Sequence, residues 1–151
     1  AVQILLTKES LDLNSDYSLS YLSMTNNGLW LSEAQGIQRM NVIGYDFDSG
    51  KINRWDISDA PIGIHESGFN PETLLLVYSD YQFAFDQDTE DGLKDTPVSL
   101  YVYDLNSGSK RLLVTSVKRH EFEPKWISDY EIEFNALDGS GRDQISIEWL
   151  L

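Results

Sequence analysis

The segment Trp126-Ile127-Ser128-Asp129-Tyr130-Glu131-Ile132-Glu133-Phe134-Asn135-Ala136 decides the fold, because the same order of residue types stands at two earlier places. Leu13-Asn14-Ser15-Asp16-Tyr17-Ser18-Leu19-Ser20-Tyr21-Leu22-Ser23 and Phe69-Asn70-Pro71-Glu72-Thr73-Leu74-Leu75-Leu76-Val77-Tyr78-Ser79 each give a bulky apolar residue, a polar turn carrying Asp or Glu, and a strand-like run. A second pattern keeps nearly the same spacing, since Tyr45-Asp46-Phe47-Asp48-Ser49-Gly50-Lys51 matches Tyr103-Asp104-Leu105-Asn106-Ser107-Gly108-Ser109. Two independent patterns sharing a period of about 57 residues mark an internal repeat.

The repeated pieces are strands. Apolar residues nowhere recur at helical spacing behind a cap, whereas β-branched and aromatic runs at 3–7, 17–23, 40–47, 52–57, 74–79, 98–105, 111–117, 131–136 and 144–150 are separated by turn residues. Asp-Ser-Gly at 48–50, Asn-Ser-Gly at 106–108 and Asp-Gly-Ser-Gly at 138–141 supply the residues that tolerate positive φ in tight hairpins. The expectation is an all-β chain forming a single domain over 1–151, built of three four-stranded antiparallel blade-like repeats in a partial or compact propeller-like arrangement.

Trp126-Ile127-Ser128-Asp129 followed by Ile132-Glu133-Phe134, then Asp138-Gly139 and Gln144-Ile145-Ser146-Ile147, resembles the repeat of TolB-like, WD-type β-propellers. Ser99-Leu100-Tyr101-Val102-Tyr103-Asp104-Leu105 with Gly108 is similar to the matching strand and turn of those propellers and of the propeller domains of prolyl-oligopeptidase-type peptidases. Where that family has Asp-Gly in the first turn, this chain has Asp16-Tyr17, Glu72-Thr73 and Asp129-Tyr130. The resemblance implies propeller blades and protein binding in a cell envelope. Gln3-Ile4-Leu5-Leu6-Thr7 matches Arg111-Leu112-Leu113-Val114-Thr115, so an N-terminal strand is expected to complete the last repeat and make a complete unit. Because propellers have about four to eight blades, three repeats are expected to pair with a second copy, to pack compactly, or to belong to a larger ring.

The chain has 151 residues, 41% of them hydrophobic and 12% aromatic, and 25 acidic against 11 basic side chains give a net charge of −14. No basic cluster is present to neutralise consecutive phosphates, which argues against nucleic acid and anionic membrane as partners and in favour of a basic protein. No apolar run approaches the roughly 20 residues that span a bilayer as a helix. With no cysteine, thiolate chemistry and disulfides are excluded. The chain begins at Ala1, which fits removal of an export signal and a periplasmic or secreted location, or merely where the sequence starts.

Candidate chemistry concentrates in two places. His65-Glu66 and His120-Glu121 precede the repeated bulky residues Phe69 and Trp126, and read first as equivalent structural histidines, since no HExxH, His-x-His or Gly-x-Ser-x-Gly accompanies them. No catalytic residue is selected. The stretch 81–97 is the longest insertion in the repeats, and Tyr81, Phe83 and Phe85 alternate with polar residues ahead of Asp86, Asp88, Glu90 and Asp91. Aromatic anchors beside negative charge suit a cationic partner surface, and these seven are the candidate partner-binding residues. Asp86, Asp88 and Glu90 are also candidate calcium ligands, set against a plain solvated acidic loop. The four tryptophans raise sugar stacking.

The composite reading is a non-enzymatic, acidic, protein-binding domain of inhibitor or immunity type, acting on a basic protein and needing no cofactor. The alternatives are a calcium- or carbohydrate-binding module, or a propeller module attached to a hydrolase or peptidase, and a homodimer is compatible with each.

Overall fold

The computed structural model describes residues 17–35, 39–57, 64–80 and 96–148. It is all-β, with one turn of 3₁₀ helix at Glu66–Gly68. Three antiparallel sheets follow one another along the chain. Sheet A is a meander of β1 (Ser18–Met24), β2 (Gly28–Gln35), β3 (Arg39–Asp46) and β4 (Ile52–Asp56). Sheet B repeats that order with β5 (Phe69–Asn70), β6 (Leu75–Ser79), β7 (Ser99–Asp104) and β8 (Ser109–Thr115). Sheet C has β9 (Lys125–Trp126), β10 (Glu131–Asn135) and β11 (Arg142–Ser146). The four strands expected in every repeat are therefore found in two sheets, and three are found in the third among the described residues. The segment 3–7, expected to supply the fourth, lies outside them.

Sheet B is the middle layer, because every residue of β6 is buried and the strand alternates between two cores. Leu76 and Tyr78 face sheet A, where they meet Leu22, Met40, Val42 and Ile57. Leu75 and Val77 face sheet C, where they meet Ile132, Phe134, Phe122 and Ile147. An uninterrupted apolar run such as Leu74-Leu75-Leu76-Val77-Tyr78 is what a strand covered on both faces requires. The innermost strand of B, β5, adjoins both β1 and β9.

The repeat is exact in its chemistry at the turns between third and fourth strands. Gly50 N–H donates to Asp46 O at 2.9 Å and Gly108 N–H to Asp104 O at 2.8 Å. Both glycines sit at positive φ, 69° and 73°, where a side chain is strained. The Asp side chain completes each turn: Asp46 Oδ1 accepts from the Asp48 and Ser49 N–H groups, Asp104 Oδ1 from Asn106 N–H.

The first repeat needs realignment. Its bulky-turn-strand signature was expected at 13–23, but sheet order puts β2, not β1, beside β3, as β6 stands beside β7. The true counterpart is the hairpin Met24-Thr25-Asn26-Asn27-Gly28-Leu29, whose Asn27-Gly28 is a strong hairpin signal and which leads into Gly28–Gln35, a strand outside the runs expected from the sequence. Phe47 N–H to Asn27 O, Leu105 N–H to Leu74 O and Ile147 N–H to Tyr130 O are the same bond in the three sheets. The last strand, expected at 144–150, begins earlier, at Arg142, where it pairs with Asn135, and runs to Ser146; 149–150 lie outside the described residues.

Leu76→Ala, which opens a cavity at the buried A–B seam, is expected to cost roughly 2–5 kcal/mol in urea unfolding, whereas Leu112→Ala at an exposed site stays within about 0.5 kcal/mol. The Asp46 carboxyl is held below the ordinary carboxylate value, first by the Ser49 N–H, then by the Ser49 hydroxyl. A depressed folded value stabilises the fold above about pH 4 and loses that contribution as pH falls through it. Asp46→Asn should therefore flatten the acid limb of the stability profile, and an unchanged limb would assign acid sensitivity to other carboxylates.

Candidate functional site

Two turns that are equivalent in the repeat come together at one end of the sheets. The chain enters β5 through His65 and the Glu66–Gly68 turn, and enters β9 through 119–124. Between them lies an open cleft of ≈ 580 Å³, lined by His65, Glu66, Ser67, Glu121, Glu123 and Pro124. Ser67 Oγ donates to Pro124 O at 3.1 Å, and the Trp126 indole donates to Gly68 O at 2.7 Å, so both walls are pinned to each other. Gly68 is required where it is, since a Cβ there would lie 2.4 Å from Val77 O.

The cleft is acidic. Glu66, Glu121 and Glu123 are all exposed, and one of them is oriented from behind by Asn135, whose amide donates to Glu123 Oε2 at 3.3 Å. The two histidines, equivalent by sequence, part company here. His65 lines the cleft, whereas the His120 ring packs edge-on to Phe122 with centroids 4.6 Å apart, and its Nε2–H donates to Asn135 O at 2.8 Å. Ser67, the hydroxyl in the cleft, directs its proton to a backbone carbonyl. Among the described residues of the cleft, no nucleophile is hydrogen-bonded to a base. Three carboxylates around an open hollow instead offer acceptors to a cationic group.

The seven residues expected to bind a partner, Tyr81, Phe83, Phe85, Asp86, Asp88, Glu90 and Asp91, lie outside the described residues. The residues that flank this stretch are described. It leaves β6 at Asp80 and returns at Val98, and Asp80 N–H donates to Ser99 O at 3.1 Å. Since β5 and β6 are antiparallel, that is the end of sheet B where the cleft lies. The same end carries the shorter connections 36–38 and 136–141. Among the described residues no group of three or more His, Asp or Glu is placed to hold a metal ion, and the candidate calcium ligands Asp86, Asp88 and Glu90 fall outside them.

Of the tryptophans considered for sugar stacking, two are tied into the seams between sheets. The Trp126 indole bonds sheet B as above, and the Trp55 indole donates to Leu105 O of sheet B at 2.9 Å. Trp30 packs against Phe69 with centroids 5.8 Å apart. Glu66, Glu121 and Glu123 were not singled out as a set by sequence reasoning, although the repeated His-Glu dipeptides pointed to two of them. No family model, curated protein or solved structure matches this chain.

Trp126→Phe keeps the ring and deletes the indole donor. It leaves the Gly68 carbonyl without its partner and should cost about 1–3 kcal/mol in thermal or urea unfolding. An unchanged stability would mean that the wall of the cleft is held by packing alone.

Proposed function

We propose that this chain is a non-enzymatic, acidic, protein-binding domain whose sheets are consecutive blades of a TolB-like, propeller-like array, and which holds a basic protein partner at the loop-bearing end. The observation that carries the reading is the cleft where Glu66, Glu121 and Glu123 converge beside the ends of the longest connection. Support for the blades comes from three antiparallel sheets stacked face to face, the shared third-strand turns and the adjoining innermost strands. An inhibitor or immunity-type protein is the concrete form, because blocking a basic active site requires charge and shape rather than catalytic groups. Export to the cell envelope belongs to the same proposal through the family resemblance.

A net charge of −14 steers a cationic partner to the surface over distances within a Debye length, so the association rate should fall as ionic strength rises. The test is capture of a stoichiometric partner from the native source, followed by association kinetics across a salt series. Reversing Glu66, Glu121 and Glu123 to Lys together should slow association by roughly tenfold or more, mainly without changing the fold. A partner that is not basic, or whose binding ignores both salt and charge reversal, would overturn the reading.

A further inference from the structure

The bond that ties the residue after the third strand of each sheet to the neighbouring hairpin is accepted by three unlike residues. Leu74, Tyr130 and Asn27 each present a backbone carbonyl there, so nothing in that bond calls for an asparagine. Backbone conformation does not call for one either, since Leu74 has a φ of 56° and Asn27 is not among the described residues at positive φ. The Asn27 side chain is exposed, and among the described residues its amide makes no hydrogen bond. This residue is held through its backbone alone, by its N–H to Thr25 Oγ1 at 3.2 Å and by Phe47 N–H to its carbonyl at 3.0 Å.

The residue after it, by contrast, is fixed. A Cβ on Gly28 would lie 2.8 Å from Tyr45 O, so the pairing of β2 with β3 requires glycine at this place. Glycine leaves its own nitrogen without the steric cover of a side chain. That nitrogen is not tied across the hairpin: Thr25 N–H donates to Gly28 O at 2.9 Å, but among the described residues no bond returns from the Gly28 N–H to Thr25 O. Other asparagines are guarded. Asn41 Nδ2 donates to Glu33 Oε1 at 2.8 Å, Asn106 Nδ2 to Thr73 O at 3.1 Å and Asn135 Nδ2 to Glu121 O at 2.9 Å. Asn70 precedes Pro71, which has no N–H to give up.

We propose that Asn27-Gly28 is a site of self-modification, at which the asparagine becomes a mixture of aspartate and isoaspartate and the hairpin end of sheet A loosens. The Gly28 nitrogen gives its proton to hydroxide and attacks Asn27 Cγ. A C–N bond forms, the side-chain nitrogen takes up a proton and leaves as ammonia, and a five-membered succinimide remains. Water then breaks one of the two C–N bonds of that ring. Opening at Cγ gives aspartate. Opening at the former backbone carbonyl gives isoaspartate, with the main chain now running through Cβ and Cγ, one carbon longer. The sum is amide plus water to carboxylate plus ammonium, with no oxidation. In the isoaspartate product the carbonyl that accepts from Phe47 N–H has become part of a side-chain carboxylate, so sheet A loses the bond that sheets B and C keep. Each conversion also makes the net charge of −14 more negative.

Peptide mapping by mass spectrometry of the folded chain, aged at mildly alkaline pH, tests the proposal. The peptide that holds Asn27 is expected to convert from amide to acid ahead of the one that holds Asn106, in proportion to hydroxide, with isoaspartate identified by its enzymatic methylation. The aged chain is expected to melt below the fresh one. Asn27→Gln, which would have to close a six-membered ring, should abolish both the early conversion and the fall in thermal midpoint. An Asn27 that stays intact in the folded chain yet converts in urea overturns the proposal, because the hairpin then protects it. Equal rates at Asn27 and Asn106 overturn it as well, and so does conversion that leaves the thermal midpoint where it was.

Discussion

The rest of the structure depends on the burial of β6 on both faces. Five consecutive residues, Leu75 to Ser79, are shielded from water, and neither face could be buried by sheet B alone. Because β6 puts apolar side chains on both sides of sheet B, that sheet on its own would leave both of its apolar faces exposed. Sheets A and C cover those surfaces. Their positions are then fixed by indole donors that find backbone acceptors on sheet B, Trp55 at Leu105 O and Trp126 at Gly68 O. Burial supplies most of the attraction without direction, and the two hydrogen bonds supply the register between layers.

This division explains what could be read in the sequence. The third-strand turns were legible because their chemistry is local: an Asp carboxylate, a backbone N–H two residues on and a glycine at positive φ are specified within a handful of residues. The all-β character was legible for the same reason. The first repeat was misaligned because Leu13 to Ser23 reproduces the residue types of the signature, while the hairpin Asn27-Gly28 that actually carries it follows a Met where the other repeats have Phe and Trp. The connection 36–38 is also far shorter than 80–98, so the period that holds between the second and third signatures does not hold for the first. Spacing in a meander reports loop length as much as strand order.

The cleft was only half legible. His-Glu before Phe69 and before Trp126 gave notice that two equivalent turns exist, but not that they face each other across a seam. Their convergence is a consequence of sheet packing: β5 and β9 adjoin, so the segments that lead into them must also be neighbours. Nor could sequence separate the two histidines, whose different fates depend on Phe122 and on the Asn135 carbonyl, both supplied by sheet C or its approach.

Charge and packing act on different parts of the molecule, which is how a protein with an excess of acids can keep three closely packed sheets. The cores between A, B and C are almost wholly apolar; Glu33, the acidic side chain buried in sheet A, accepts from Asn41 Nδ2 at 2.8 Å and stands 3.8 Å from Arg54. A buried carboxylate without such partners would be costly. The exposed acids of the cleft carry no comparable penalty, because the turns that present them are pinned through neutral groups, Ser67 to Pro124 O and Trp126 to Gly68 O. The scaffold therefore does not rely on the cleft carboxylates for its stability. The groups that hold the two turns together are thus distinct from the carboxylates those turns present to solvent.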